Sequence, residues 1–416
     1  MIVSTVIQQH AEDAAVLHAV RTSLTVAPHV RLRHLRRFDD RLAAHLDGLV
    51  VAGDTGWAHC MRSLESPTPG RVFAAAVPLI EAGRMGHLGE IYALVEAVPQ
   101  IQRGLVAALA WVEREKLQGV VAALLTSSSV VRRTIGIAVC ALHRVDPGSG
   151  RESALEDSSV ALRARALRAV GELGRQNLTS ACLESLRAED SAEIRFWAAW
   201  SAVLLGNRQV ALDVLKAIAS EPSPFRQRAL QLGLQAMKED AAEEFLRRLG
   251  ESRDTLRLVI QGSGISGDPA RLPWLIQCMT EPKAARLAGE AFCLMMGLDL
   301  AYLDLDRKPP TEIEAGPNDD PNDPNVEMDP DDGLPWPDQK LIQAWWNANS
   351  HRFQPGVRYF MGEPLNRQNC VRVLKEGFQR QRIAAAIYLS LLNPGTQLFE
   401  WRAPAWRQKR LLATMT

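Results

Sequence analysis

One arginine recurs along this chain at intervals close to one helix pair, and that recurrence constrains the fold more than any other feature. Arg71, Arg103, Arg132, Arg163, Arg195, Arg226, Arg257 and Arg286 are separated by 32, 29, 31, 32, 31, 31 and 29 residues. Each opens a run with helically spaced apolar residues, as in RVFAAAVPLIEAG (71–83), RGLVAALAWVE (103–113) and RLAGEAFCLMMG (286–297). Shorter amphipathic stretches lie between them, such as HLGEIYALVEAVP (87–99) and RQVALDVLKAIAS (208–220). Pro or Asp tends to precede the next arginine helix, where a helix start would place it. A single helix pair cannot bury its apolar face, so neighbouring pairs must stack into an array. The expected fold is all-α, a right-handed α-solenoid of about eight or nine two-helix repeats.

The phrase GDPARLPWLIQCMTEPKAARLAGEAF (267–292) closely resembles the HEAT family. The period is shorter than the roughly 40 to 47 residues of large HEAT repeats and looks like the compact bacterial variety. The expected organisation is N-terminal capping helices over 1–60, a HEAT-like array over 61–297, an acidic insertion over 298–378, and a terminal repeat with a C-terminal cap over 379–416. Each of the eight arginines is expected to reach an Asp or a backbone carbonyl of a neighbouring repeat, forming a ladder that fixes the stacking. A basic concave surface for phosphate or nucleic acid is the disfavoured alternative, because the spacing follows the repeat and makes no cluster.

Catalytic motifs are missing from the sequence. The six cysteines (60, 140, 182, 278, 293 and 370) are scattered without a CxxC, in apolar helical contexts that suit buried free thiols. Eight of the nine histidines precede residue 144, yet none forms HxxxH or HExxH, so no metal is expected. The stretch GSGISG (262–267) matches a dinucleotide-binding pattern, but Arg257 keeps the helical register there and no βαβ unit surrounds it. A di-iron hydroxylase on a related repeat would need His-Glu steps, and the chain has no such dipeptide. FEWRAPAWRQKR (399–410) is a short version of the basic, Trp-rich groove of a repeat-built DNA glycosylase and reads better as a terminal cap. No cofactor is expected, no apolar run reaches the roughly 18 residues of a membrane span, and no secretory leader opens the sequence, so the expected location is the cytoplasm.

The array stops after Gly297. Residues 299–338 hold 13 acids and two bases, which leaves 46 bases and 35 acids, a net of +11, in the rest of a formally neutral chain. An EF-hand loop with Gly333 sixth would begin at Met328, place Pro330 third and lack the twelfth Glu, so calcium chemistry is not supported. DDPNDPNVEMDPDDGLPWPD (319–338) is expected to be flexible in its first half and docked in its second. Asp329, Asp331, Asp332, Trp336, Trp345 and Trp346 are the candidate binding residues, because clustered Trp side chains usually pack or bind. The basic run Arg31, Arg33, Arg36 and Arg37 is expected to be the polar face of a capping helix.

Several blocks together resemble a family of bacterial HEAT-repeat proteins of uncharacterised function. They are APH (27–29) with LAAHLDGLVVAG (42–53), DPDDGLPWPD (329–338) with AWW (344–346), RYFMGEPL (358–365) and QRQRIAAAIYLSLLNPGTQLFEWRAP (379–404). Members are often encoded near type VI secretion components. The repeat register, the missing catalytic motifs and the acidic segment point to a non-catalytic scaffold or adaptor, with no membrane partner and nucleic acid disfavoured; the resemblance implies a role near effector loading, with a secretion effector, spike protein or adaptor as partner. The alternatives are an immunity protein that binds a co-encoded toxin and a metal-dependent enzyme on a HEAT-repeat scaffold.

Overall fold

The computed structural model describes residues 3–188, 191–310 and 328–415. The first half of the acidic stretch, expected to be flexible, therefore lies largely outside the described residues. Among those described the chain forms twenty-two α-helices and two short β pairings. It is an all-α solenoid, and its contacts divide it into two compact units, Met1–Ala211 with Leu374–Thr416, and Leu212–Val373.

The first unit contains α1 (Ser4–Leu24), α2 (Leu32–Val51), α3 (Asp54–Ser63), α4 (Pro69–Glu81), α5 (Leu88–Ala97) and α6 (Gln102–Trp111). It continues through α7 (Val120–Leu125), α8 (Val130–Leu142), α9 (Ser149–Leu155), α10 (Val160–Glu172), α11 (Thr179–Ala188) and α12 (Ala192–Leu204). The arginine helices α4, α6, α8, α10 and α12 pack each on the next as one row, with α5, α7, α9 and α11 beside them. Thr68, Ser129, Ser159 and Ser191 each cap one of these helices, their side-chain oxygens accepting from the backbone NH of Arg71, Arg132, Leu162 and Ile194. The repeat is therefore written twice, in the arginine and in the hydroxyl that precedes it. Residues Val72–Ile80 of α4 and Phe196–Leu204 of α12 are buried without interruption. Helices apolar all round belong inside a structure rather than at one face of it.

The division between the units falls inside α13 (Gln209–Ser220). The second unit continues with α14 (Arg226–Ala236), α15 (Glu239–Leu249), α16 (Leu256–Ser266), α17 (Leu272–Cys278), α18 (Pro282–Met296) and α19 (Gln339–Asn349), and ends inside α20 (Arg367–Glu376). Here α14, α16 and α18 form the row, with α15 and α17 beside α16 and α18. GSGISG is the C-terminal end of α16 with its left-handed cap, Gly267. Its Gly262 and Gly264 face Leu246 and Ala291 of neighbouring helices, so the glycines serve helix packing. The insertion folds onto α18 through β1 (Asp306–Arg307) paired antiparallel with β2 (Trp336–Pro337), and its Ile342 and Phe353 join a core that includes Phe292 and Met295.

Residues 379–416 form α21 (Gln379–Leu392) and α22 (Ala405–Ala413) within the first unit. They contact α12 and α2, and Gln379 NH donates to Val30 O at 2.8 Å. The other short pairing, β3 (Tyr359–Phe360) with β4 (Glu363–Pro364), belongs to the second unit.

Candidate binding site

In the second unit the acidic segment is held by two arginines of the recurring series. Arg286 pairs with Asp329 at 2.6 Å and donates to Asp331 O at 3.1 Å. Arg257 forks onto the Asp331 carboxylate at 2.5 and 3.1 Å and also donates to Lys283 O at 3.0 Å. Asp331 NH donates back to Asp329 Oδ1 at 2.9 Å, and Gly333 takes a positive φ of 76°, so the DPDDG run turns tightly enough to present both carboxylates. Charge-assisted fork geometry of this kind fixes position as well as contributing energy. The Arg286 guanidinium also lies over the Trp336 ring at 4.7 Å.

Beyond the turn, Asp338 NH donates to Leu305 O at 2.8 Å, and the Asp338 carboxylate caps α19 through the NH groups of Lys340 and Leu341. That cap aims Trp345 at Phe292, with ring centroids 5.8 Å apart, and sets Trp346 beside Phe353 at 5.9 Å. Of the six candidate residues, Asp329, Asp331 and Trp336 thus face the unit's own arginines. Trp345 and Trp346 are half-buried against the core, and Asp332 is exposed. The insertion also turns out Tyr302, Leu303, Met328 and Leu341, which are 82%, 43%, 71% and 45% exposed.

The other members of the arginine series share a position but not a partner. Arg132 forks onto Glu96 of α5 at 2.9 and 3.0 Å and lies 5.0 Å from the Tyr92 ring. Its hydrogen bonds hold the Glu96 carboxyl below its ordinary pKa. Arg226 donates to Ala219 O and Ser220 O at the end of α13. Arg163 and Arg71 donate to Asp157 O and Ser66 O in the turns just before their own helices, and Arg103 and Arg195 are exposed.

Sequence reasoning missed the residues that close the C-terminal ends of the helix rows. In the second unit the buried Arg358 donates to Gln235 O, Met237 O and Ser266 O at 2.6, 2.7 and 3.1 Å. Tyr359 NH then reaches Gly267 O, Met361 NH reaches Leu294 O and Gly362 NH reaches Met295 O. In the first unit, Leu398 NH donates to Glu172 O at 3.0 Å, Arg144 Nε to Leu398 O at 2.6 Å, and Arg407 to the carbonyls of Ala110, Trp111 and Val112. This strap ends at a buried clasp, where Arg21 grips Asp39 at 2.6 and 3.2 Å and donates to Arg402 O and Ala403 O, while Ala405 NH donates to Asp39 Oδ2 at 2.7 Å. The last carbonyls of a helix have no partner within it, and extended chain crossing the ends supplies donors. Both straps fall in blocks that carry the resemblance, RYFMGEPL and NPGTQLFEWRAP.

The open polar cleft of the first unit, about 480 Å³, is lined by Glu113, Arg114, Glu115, His143, Arg407 and Arg410, whose charges pair with one another. His143 sits there in hydrogen-bond contact with Leu109 O at 2.8 Å, and burial lowers its pKa. Burial pushes the thiols of Cys60, Cys182 and Cys370 up to about 12, which leaves them protonated at neutral pH. Among the described residues no group of three or more His, Cys, Asp or Glu is placed to share a metal ion.

Residues 149–235 match the family model for HEAT repeats. The match spans α9 to α14, with Arg163, Arg195 and Arg226 of the recurring series inside it. A search of curated proteins finds no match to the chain. HEAT repeats are commonly protein-interaction scaffolds, and among the described residues no helix is long and apolar enough to cross a membrane.

Proposed function

We propose that the protein is a non-catalytic HEAT-repeat scaffold that docks a protein partner on the outward side of its insertion. One observation carries the reading. Arg257 and Arg286 hold the insertion through Asp331 and Asp329, while Tyr302, Leu303, Met328, Leu341 and Asp332 stay exposed. Large apolar side chains turned outward from an anchored segment mark an interaction surface. The acidic composition of residues 299–338 favours a partner whose contact surface is basic around an apolar centre. Asp332, Trp345 and Trp346 belong to that surface in this reading, and Asp329, Asp331 and Trp336 position it.

The resemblance to a family encoded near type VI secretion components supports a secretion effector, spike protein or adaptor as the partner. A pull-down from the native host, comparing the intact chain with a Tyr302→Ser, Met328→Ser, Asp332→Lys triple variant, tests the surface. The variant should lose a protein that the intact chain retains. Recovery of the same proteins by both would refute the proposed surface, and rescue of cells from a co-expressed neighbouring toxin would assign the protein to immunity.

A further inference from the structure

Eight of the nine histidines precede residue 144, and four of them lie where α1 packs on α2, α3 and α4. His10 of α1 and His45 of α2 meet Nδ1 to Nδ1 at 3.1 Å, with the rings edge to face. His59 of α3 meets Ser4 Oγ through Nε2 at 2.9 Å. His18 is stacked on Phe73 of α4 with ring centroids 4.1 Å apart. One imidazole contact thus ties α1 to each of these helices.

Apolar burial holds α1 only modestly. Its buried apolar residues are Ile7, Ala11, Ala14, Ala15 and Leu17, and an alanine side chain removes little surface from water. Glycine makes the close approach possible: a Cβ at Gly48 would meet the His10 ring at 2.9 Å, and one at Gly70 would meet Ala15 O at 2.3 Å. Gly48 lies inside α2, where glycine weakens a helix relative to alanine, so room for the His10 ring is made at a cost in helix stability.

The His10–His45 and His18 contacts leave no place for an added proton. A hydrogen bond between two Nδ1 atoms holds one proton, and a second sets two imidazolium rings against each other. The charges facing this pair are Asp13, whose Oδ2 is 3.7 Å from His45 Nδ1, and Arg41, and they offset each other. His18 Nδ1 is closed to solvent and has no partner among the described residues. Arg21 of α1 and Arg103 of α6 both act on it as cations, and the Asp39 carboxylate of α2 is taken up by Arg21 at 2.6 and 3.2 Å. His59 faces the uncharged Ser4.

We propose that α1 is an acid-released helix: protonation of the His10–His45 pair and of His18 frees Ser4–His18 from α2, α3 and α4, with the Arg21–Asp39 ion pair as the pivot. A carboxylate paired with arginine stays ionised where histidines titrate, so the pivot holds. Burial, with His10 and Arg41 adding to it against Asp13, keeps His45 below its ordinary pKa, and burial first of all lowers His18 to about 3. A released histidine titrates near 6.5, so the released state takes up protons that the docked state refuses. Docking is therefore complete above about pH 6.5 and weakens as pH falls. Release uncovers Phe73 and the inward face of α1, an apolar surface present only in acid. The device lies in the first unit and is independent of the surface on the insertion.

Hydrogen exchange of the full chain at about pH 7.5 and about pH 5, corrected for the intrinsic pH dependence of exchange, tests the proposal. Amides of residues 7–18 should lose at least about 30-fold in protection in acid, the factor that one histidine of ordinary pKa supplies over about 1.5 pH units. In acid they should also exchange ahead of those in α10 and α12, which contain no histidine. His10→Gln combined with His18→Phe should reduce the fall to about threefold or less, and if that variant is unstable His18→Phe alone must still reduce it. Unchanged protection of α1 in acid, exchange in α1 no faster than in α10 and α12, or a fall as large in the variants would overturn the assignment.

Discussion

Buried ionisable side chains in the first unit are held in sharply different charge states by their neighbours. Burial alone would raise the pKa of Glu172, but Arg165, Arg168 and Arg144 outweigh it and hold the carboxyl at about 2. His18 is stacked on Phe73 with ring centroids 4.1 Å apart, and burial followed by the fields of Arg21 and Arg103 lowers its pKa to about 3. In the unfolded chain a histidine titrates near 6.5, so between pH 6.5 and 3 the unfolded state binds the extra proton and stability falls as pH falls. The expected slope from this residue is about 1.4 kcal/mol per pH unit. His18→Phe should therefore flatten the dependence of unfolding free energy on pH between about 6.5 and 5 by close to one proton. Urea denaturation at several pH values measures this, and an unchanged slope would mean that His18 is solvated in the folded state. The arginine positions were legible because a repeated helix start recurs in sequence. Their partners were not, since those are set by whichever distant segment crosses each helix: Arg286 meets Asp329 of the insertion, whereas Arg132 meets Glu96 of the preceding helix pair.

At the scale of elements, the two straps pose the same steric demand on the glycines at the helix ends they cross. Gly174 follows α10 with φ +66°, and a Cβ there would meet Gly395 O at 2.2 Å. Gly267 follows α16 with φ +74°, and a Cβ would meet Tyr359 O at 2.4 Å. Gly83, after α4, has a similar φ of +70° but nothing within 4 Å. Alanine at Gly83 should cost about 1 kcal/mol for the left-handed backbone alone. Gly174→Ala and Gly267→Ala should each cost clearly more, by roughly another 1 to 3 kcal/mol, because the strap backbone must shift. Equal losses for all three in denaturant melts would show that the straps yield without cost. Helices were legible from apolar periodicity and the hydroxyl caps. The straps were not, because a few extended residues that satisfy helix carbonyls have no period of their own. Their trace in the sequence is indirect: glycine at 174, 206, 267 and 297, in each case within 4 Å of a strap atom once a Cβ is added.

On the scale of the molecule, the first unit is built from both ends of the described chain, with the clasp of Arg21, Asp39 and Ala405 joining residues far apart in sequence. The repeats were legible in the sequence because each is local, whereas the contacts of residues 374–416 with α2 and α12 were not, since such closure depends on buried pairings between single residues. A chain shortened to end at Asn393 loses the donors to Glu172 O and to the three carbonyls at the C-terminal end of α6, and leaves the buried Asp39 without the Ala405 NH. Unsatisfied buried carbonyls and a weakened buried ion pair raise the population of locally open states. Hydrogen exchange of the shortened chain should therefore be faster by at least about 100-fold in α10 and α12. Protection in α16 and α18 should persist, because their carbonyls are held by residues 358–362 of their own unit. Unchanged exchange in α10 and α12 would mean that the helix row is stable without its strap, and uniform loss in α16 and α18 as well would mean that closure of the first unit is required for the whole chain to fold.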